Sequence, residues 1–184
     1  TRSISVMVMV HGDDKGLVMP PLVSPVQLVA IPIVNAKMSA EDLEALNSKA
    51  GELVSILKNA GVRCELDARS DKTPGWKYNH WEVKGVPLRL ELGPRDMESR
   101  VAVVARRDGG AFIGNGGEGG SGSGESSTSS GPAKETVSWD DLATKIPALL
   151  AQVQADMYAR AKARFDSCLE KHETWEGFQG ALER

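Results

Sequence analysis

Between Val26 and Leu66 the hydrophobic period changes twice, and this constrains the fold more than any other feature of the chain. Val26–Ile33 (VQLVAIPI) is an apolar run of strand length. Leu43, Leu46, Ala50, Leu53, Val54 and Leu57 then recur at three- and four-residue spacing, which is one face of a helix. Ser39 is a good cap for that helix, with Asp42 three residues on. Gly61 accommodates the positive φ that ends it. Val62–Leu66 reads as a strand again. Strand, helix and strand at this spacing predict a parallel pair with a right-handed crossover, and so an α/β domain.

Further elements follow from local signals. Thr73-Pro74 reads as a cap with Pro at the first helical position, opening a helix to about Gly85. Val86–Leu92 alternates apolar and polar residues, and Val101–Ala105 is another apolar run, so both read as strands. Ile4–Val10 reads as a buried strand. Pro20, Pro21 and Pro25 make a non-helical connector and a candidate domain boundary. Residues 109–132 are nearly all Gly, Ser, Glu and Thr. They cannot bury enough apolar surface to offset their ordering entropy, and are expected to form a flexible insertion. Beyond it, Ser138 and Asp141 suggest a capping box, and Pro147 is expected to restart the helix. Leu149, Leu150, Val153, Met157, Ala161 and Phe165 supply an apolar stripe. Thr174 is placed to cap a last helix carrying Trp175, Phe178 and Leu182.

The chemistry concentrates in residues 58–95, which carry eight Lys/Arg against five Asp/Glu, while the whole chain has a net charge of −3. A non-specific nucleic-acid binder is usually basic overall, because phosphate neutralisation drives its affinity. Any nucleic-acid contact here must be local and shape-selective. In the helix 74–84 the helical repeat puts Lys77, Trp81 and Lys84 on one stripe and Trp76, His80 and Val83 on its neighbour, with Glu82 on the flank. Unstacked RNA bases are read by flat side chains and by hydrogen bonds to their edges. A carboxylate can accept from guanine N1–H and N2–H2, and a cation can donate to O6 and N7. The plainer alternative is that both Trp are core and the charges merely solvate the surface. Asp67, Arg69, Asp71 and Lys72 follow the second crossover strand, at the carboxyl end where open α/β sheets hold ligands. An ordinary solvated loop would have the same composition.

Other chemistries find little support. His11 beside Asp13 is weak metal-site evidence. His80 and His172 have no Ser or Cys partner in a recognised motif. Gly114–Gly124 lacks the Lys-Ser/Thr ending of a phosphate loop. Cys64 and Cys168 are far apart, against both a disulfide framework and a zinc site, and a reducing compartment is expected. No stretch approaches the ~20 apolar residues of a membrane span.

The stretch TPGWKYNHWEVKGVPLRLELGPRDMES (73–99), with ISVMVMVHGDDKGLVMPP (4–21), Arg106-Arg107-Asp108 and the tail KIPALLAQVQADMYARA, resembles prolyl-tRNA synthetase of the archaeal and eukaryotic type. Leu22 departs from the basic residue usual at that position. The resemblance implies a mixed five-stranded sheet flanked by helices, the class II anticodon-binding fold, preceded by a closing strand of the catalytic domain. Implied domains are a catalytic remnant at 1–22, an anticodon-binding core at 26–108, the insertion at 109–133, and helices at 134–184 leading to a further C-terminal domain. Thr1 and Arg2 would belong to an ATP-binding motif. Arg69, Lys77, Glu82 and Lys84 would contact anticodon bases or phosphates of proline tRNA. The parent would be a homodimer of the cytoplasm, or alternatively of an organelle, using ATP and Mg2+, with no membrane or DNA partner. The fragment alone is expected to be inactive.

Two other classes stay open. One is a non-catalytic binding protein that borrowed the fold, as the accessory subunit of the mitochondrial DNA polymerase did. The HGDDKG loop and Thr1-Arg2 argue against it. The other is a scaffolding module using the acidic helix 139–171, for which charge reversal at Lys77 and Lys84 would change nothing.

Overall fold

In the computed structural model, residues 2–34, 38–109 and 134–182 are described. After helix α1 (Arg2–His11) come β1 (Leu28–Pro32), α2 (Ala40–Asn59), β2 (Cys64–Leu66), α3 (Pro74–Val83) and β3 (Leu88–Leu92). A short α4 (Pro94–Ser99) leads to β4 (Val101–Arg106), and β5 (Lys134–Ser138) precedes α5 (Leu142–Ser167) and α6 (Trp175–Leu182). The strands form one mixed sheet in the order β2-β1-β3-β4-β5. β1 runs parallel to β2, with Leu28 opposite Cys64, and parallel to β3, with Leu28 opposite Leu88. The β3–β4 and β4–β5 pairs are antiparallel. The expected parallel pair and mixed five-stranded sheet are both found.

Strand alternation divides β1 between two cores. Leu28 and Ala30 join Leu46, Ala50, Leu53 and Leu57 of α2 and Ile146, Leu150 and Val153 of α5. Val29 and Ile31 point the other way, towards Tyr78 and Trp81 of α3. The sheet is therefore a layer between α2 with α5 and α3. Ser39 caps α2 as expected, its hydroxyl accepting from Asp42 N at 3.1 Å. Thr73 caps α3 in the same way, accepting from Trp76 N at 3.3 Å.

Several expectations fail for physical reasons. Ile4–Val10 is part of a helix and not a strand. A lone strand leaves its backbone groups unpaired, whereas a helix pairs them locally. The cost is exposure, since Ile4, Val6, Val8, Met9 and Val10 all face solvent. Ser138 makes no side-chain cap and leads a 3-10 turn, Trp139–Asp141. Pro147 does not restart a helix: α5 already begins at Leu142 and runs through it. The lost amide bond is outweighed by Leu142, Ile146 and Leu150, all buried on the sheet. The apolar stripe of α5 is buried only as far as Met157, and Phe165 is exposed. The insertion expected at 109–133 lies, from residue 110 onward, outside the described residues, as does Thr1.

The connector before the sheet is fastened to it. Leu17 N donates to Val83 O and Met19 N to Gly85 O, beside the end of α3. Gly16, at φ 133°, has room for no side chain: a Cβ there would lie 2.8 Å from Val83 Cα. Arg107 donates to both carboxylate oxygens of Asp13 at 2.7 Å and to Glu82 O at 3.0 Å. Further along, Arg63 donates to the carbonyls of Pro21 and Ser24.

Candidate nucleic-acid interface

β2 ends beside β1, and Asp67 N continues the ladder by donating to Ala30 O at 2.9 Å. The chain then leaves the sheet, and Asp67 becomes the centre of the loop that follows. Its side chain is 1% exposed. Oδ1 accepts from Arg69 Nε at 2.8 Å, and Oδ2 accepts from Arg69 Nη2 and from the indole Nε1 of Trp81 at 2.7 Å. The main-chain carbonyl of Asp67 accepts from Lys77 Nζ at 3.1 Å. Burial pushes the Asp67 carboxyl up, but the Arg69 and Trp81 donors outweigh it and hold it at about 2. The group is an anion at any neutral pH.

This loop borders a cleft of about 340 Å³ at the carboxyl ends of β1 and β2. Pro32, Asn47, Arg69, Ser70, Lys72 and Lys77 are among its lining residues. The position agrees with where open parallel sheets hold ligands. Trp76 stands beside it, 42% exposed. Its indole stacks on His80 at 4.8 Å with the planes 15° apart. Arg69 Cζ lies 4.9 Å and Lys72 Nζ 5.4 Å from the Trp76 ring centroid. Desolvation lowers the pKa of His80, and the charges of Lys84 and Arg69 lower it further, so the ring is neutral at physiological pH.

Of the four residues expected to contact RNA, the structure brings two together. Arg69 and Lys77 both line the cleft. Lys77, however, is not on an outward stripe: it is 2% exposed, and its ammonium is engaged with the Asp67 carbonyl. Burial lowers its pKa, while the Asp67 charge acts the other way. The outward stripe of α3 is Trp76, His80 and Val83; Lys77, Tyr78 and Trp81 face inward. Glu82 and Lys84 lie towards the opposite end of the helix, about 7.5 and 10.5 Å along the axis from Lys77 at the usual helical rise. Glu82 faces the connector, 4.0 Å from Lys15. Lys84 lies over the Trp81 ring at 4.6 Å, beside a second cleft with Val26 and Val86 at the amino end of β1. In the structure Lys77 is engaged at the Asp67 carbonyl and Glu82 faces Lys15, so the two do not converge on one point. Of the two residues expected at an ATP site, Arg2 is exposed at the start of α1 and Thr1 is not described.

The central role of Asp67 was not legible in the sequence. Its only signal was position, at the end of a parallel strand. Asp71 and Lys72, expected with Asp67 and Arg69 at that strand end, do line the cleft.

Residues 27–115 match the family model described as an anticodon binding domain. The chain is 39% identical over 183 residues to the cytoplasmic proline–tRNA ligase of Arabidopsis thaliana, covering 99% of this chain and 30% of that protein. It is 41% identical over 185 residues to the bifunctional glutamate/proline–tRNA ligase of Mus musculus, covering 100% of this chain and 11% of that one. The solved structure of prolyl-tRNA synthetase from Cryptosporidium parvum, complexed with L-proline and AMP, is 40% identical with a TM-score of 0.76. That match covers 95% of this chain and 32% of the other. The chain therefore spans a third or less of the length of these relatives.

Proposed function

We propose that this chain, whose residues 27–115 belong to the anticodon binding domain family, is the RNA-reading part of a larger proline–tRNA ligase and binds the anticodon end of a proline tRNA. The observation that carries this reading is the cleft at the carboxyl ends of β1 and β2, where Arg69, Lys72 and Lys77 converge beside the exposed Trp76 ring. That is cation and aromatic chemistry suited to unstacked bases and their phosphates. Arg69 and Lys77 meet the base held in the cleft, Lys77 from its floor. Lys84 and Glu82, further along α3, meet a flanking nucleotide.

The parent enzyme couples proline to its tRNA with ATP and Mg2+, as a cytoplasmic homodimer. Within this chain residues 26–108 form the recognition core, residues 134–184 complete it, and residues 1–22 end the catalytic part. Thr1 and Arg2 belong to the ATP-binding motif of that part. Because the chain spans a third or less of the length of its relatives, it is expected to be inactive on its own in ATP–pyrophosphate exchange. No described helix is long and apolar enough to cross a membrane.

The test is equilibrium binding of the chain to a proline tRNA transcript and to one whose anticodon guanines are replaced. The reading expects at least a ten-fold preference for the unaltered transcript, about the cost of one lost base contact. Equal affinity for the two transcripts would end it.

A further inference from the structure

We infer that Arg69 acts as a flat stacking surface for a single unstacked nucleobase and not as a phosphate contact, because Asp67 both neutralises its charge and fixes its plane. The inference rests on the tRNA-binding reading above and names the role of one residue within that site.

The geometry is that of a held plane. Arg69 donates to Asp67 through both Nε and Nη2, the two-pronged pairing that locks a guanidinium edge-on to a carboxylate. Asp67 cannot yield, since its side chain is 1% exposed and is also bound by Trp81 Nε1. Lys77 fixes the main chain at the same residue. Held in this way, the guanidinium lies over the Trp76 ring, 4.9 Å from its centroid, while 38% of the side chain stays exposed. Arg69 also lines the cleft, so the fixed guanidinium is positioned between the indole and the space a base would enter.

A phosphate contact would need the reverse. A free cation attracts phosphate and releases a counterion on binding. An Arg paired with a buried carboxylate has little net charge to offer, and part of its donor fork is already engaged. What remains available is the planar face, on which a base can stack.

The two roles separate under salt. Binding of the chain to proline tRNA is measured across a series of salt concentrations for wild type, Arg69→Lys, Arg69→Gln and Arg69→Ala. Urea unfolding midpoints confirm that each variant is folded. A stacking plane predicts that Lys, which keeps the charge but not the plane, loses about as much affinity as Ala, roughly ten-fold. Gln, neutral but planar, recovers part of that loss. The slope of log affinity against log salt stays at the wild-type value in all three. Asp67→Asn gives an independent check: freeing the cation steepens the slope by about 0.7, the value for one phosphate on a single strand. A phosphate role gives the opposite pattern, with Lys binding like wild type and both Gln and Ala flattening the slope. That pattern would overturn the inference while leaving anticodon recognition intact. If wild type itself fails to distinguish the anticodon-altered transcript, the functional reading falls first.

Discussion

Lys77 Nζ donates to the main-chain carbonyl of Asp67 at 3.1 Å, from a side chain that is 2% exposed. A buried ammonium on the helix thus braces the loop that carries Arg69. Lys77→Met keeps the stem volume and removes the donor, leaving that carbonyl unsatisfied. The expected cost is about 1–3 kcal/mol in urea unfolding. Little change in the unfolding free energy would mean that the loop does not depend on this contact.

Asp67 gives the fold an acid sensitivity whose sign is fixed. Its folded-state carboxyl sits at about 2, below the ordinary 3.8. A depressed carboxylate contributes stability above its unfolded pKa and loses that contribution as pH falls through the folded one. The window is therefore about pH 4 down to about 2, and the contribution above it is about 2 kcal/mol. Asp13 titrates in the same window but is half exposed, so its share is smaller. Urea midpoints of wild type and Asp67→Asn should differ at pH 7 and converge near pH 2. A gap of constant size across that range would show that ionisation of Asp67 is not what stabilises the loop.

The connector before the sheet is expected to be held by Gly16 and Arg107. Gly16→Ala places a Cβ 2.8 Å from Val83 Cα at a backbone conformation that disfavours side chains. The connector should lift away, and limited trypsin digestion should then cut at Lys15 several-fold faster than in wild type. Arg107→Ala should accelerate the same cut by freeing Asp13. Unchanged cleavage in both variants would show that the connector is not retained by these contacts.

Arg106 is fully buried between Asp108 and Asp156, and Arg160 of α5 also binds Asp108. Arg106→Met leaves the buried Asp108 short of its main partner, at an expected cost of about 3–5 kcal/mol. Thermal unfolding should show the loss, and adding Asp108→Asn to the same chain should recover part of it. No recovery would indicate that cavity formation, and not an unpaired charge, sets the cost.

How much of this was legible in the sequence depended on whether one physical signal dominated a segment. Leu46, Ala50, Leu53 and Leu57 were readable because α2 has one buried face and a long period. β5 was missed because Lys134–Ser138 buries Val137 while most of its other residues are polar, and it follows a Gly/Ser tract. Ile4–Val10 misled because β-branched residues favour strands only where a sheet receives them. The rotation of α3 could not be fixed either. Trp76 and Val83 face outward while Lys77 faces inward, so polarity opposes the actual burial. Only the tertiary partner, the Asp67 carbonyl, decides which side Lys77 takes.

On the proposed function, nucleotides of the anticodon occupy the cleft between the Asp67–Thr73 loop and α3. Its most direct test is a backbone-amide and indole chemical-shift map of the labelled chain with a proline-tRNA anticodon stem-loop, beside a stem-loop with altered anticodon bases. Large shifts should cluster at Arg69, Lys72, Lys77 and the Trp76 indole with the first RNA, and be absent with the second. Shifts confined to α5 and α6, or identical for both RNAs, would contradict it.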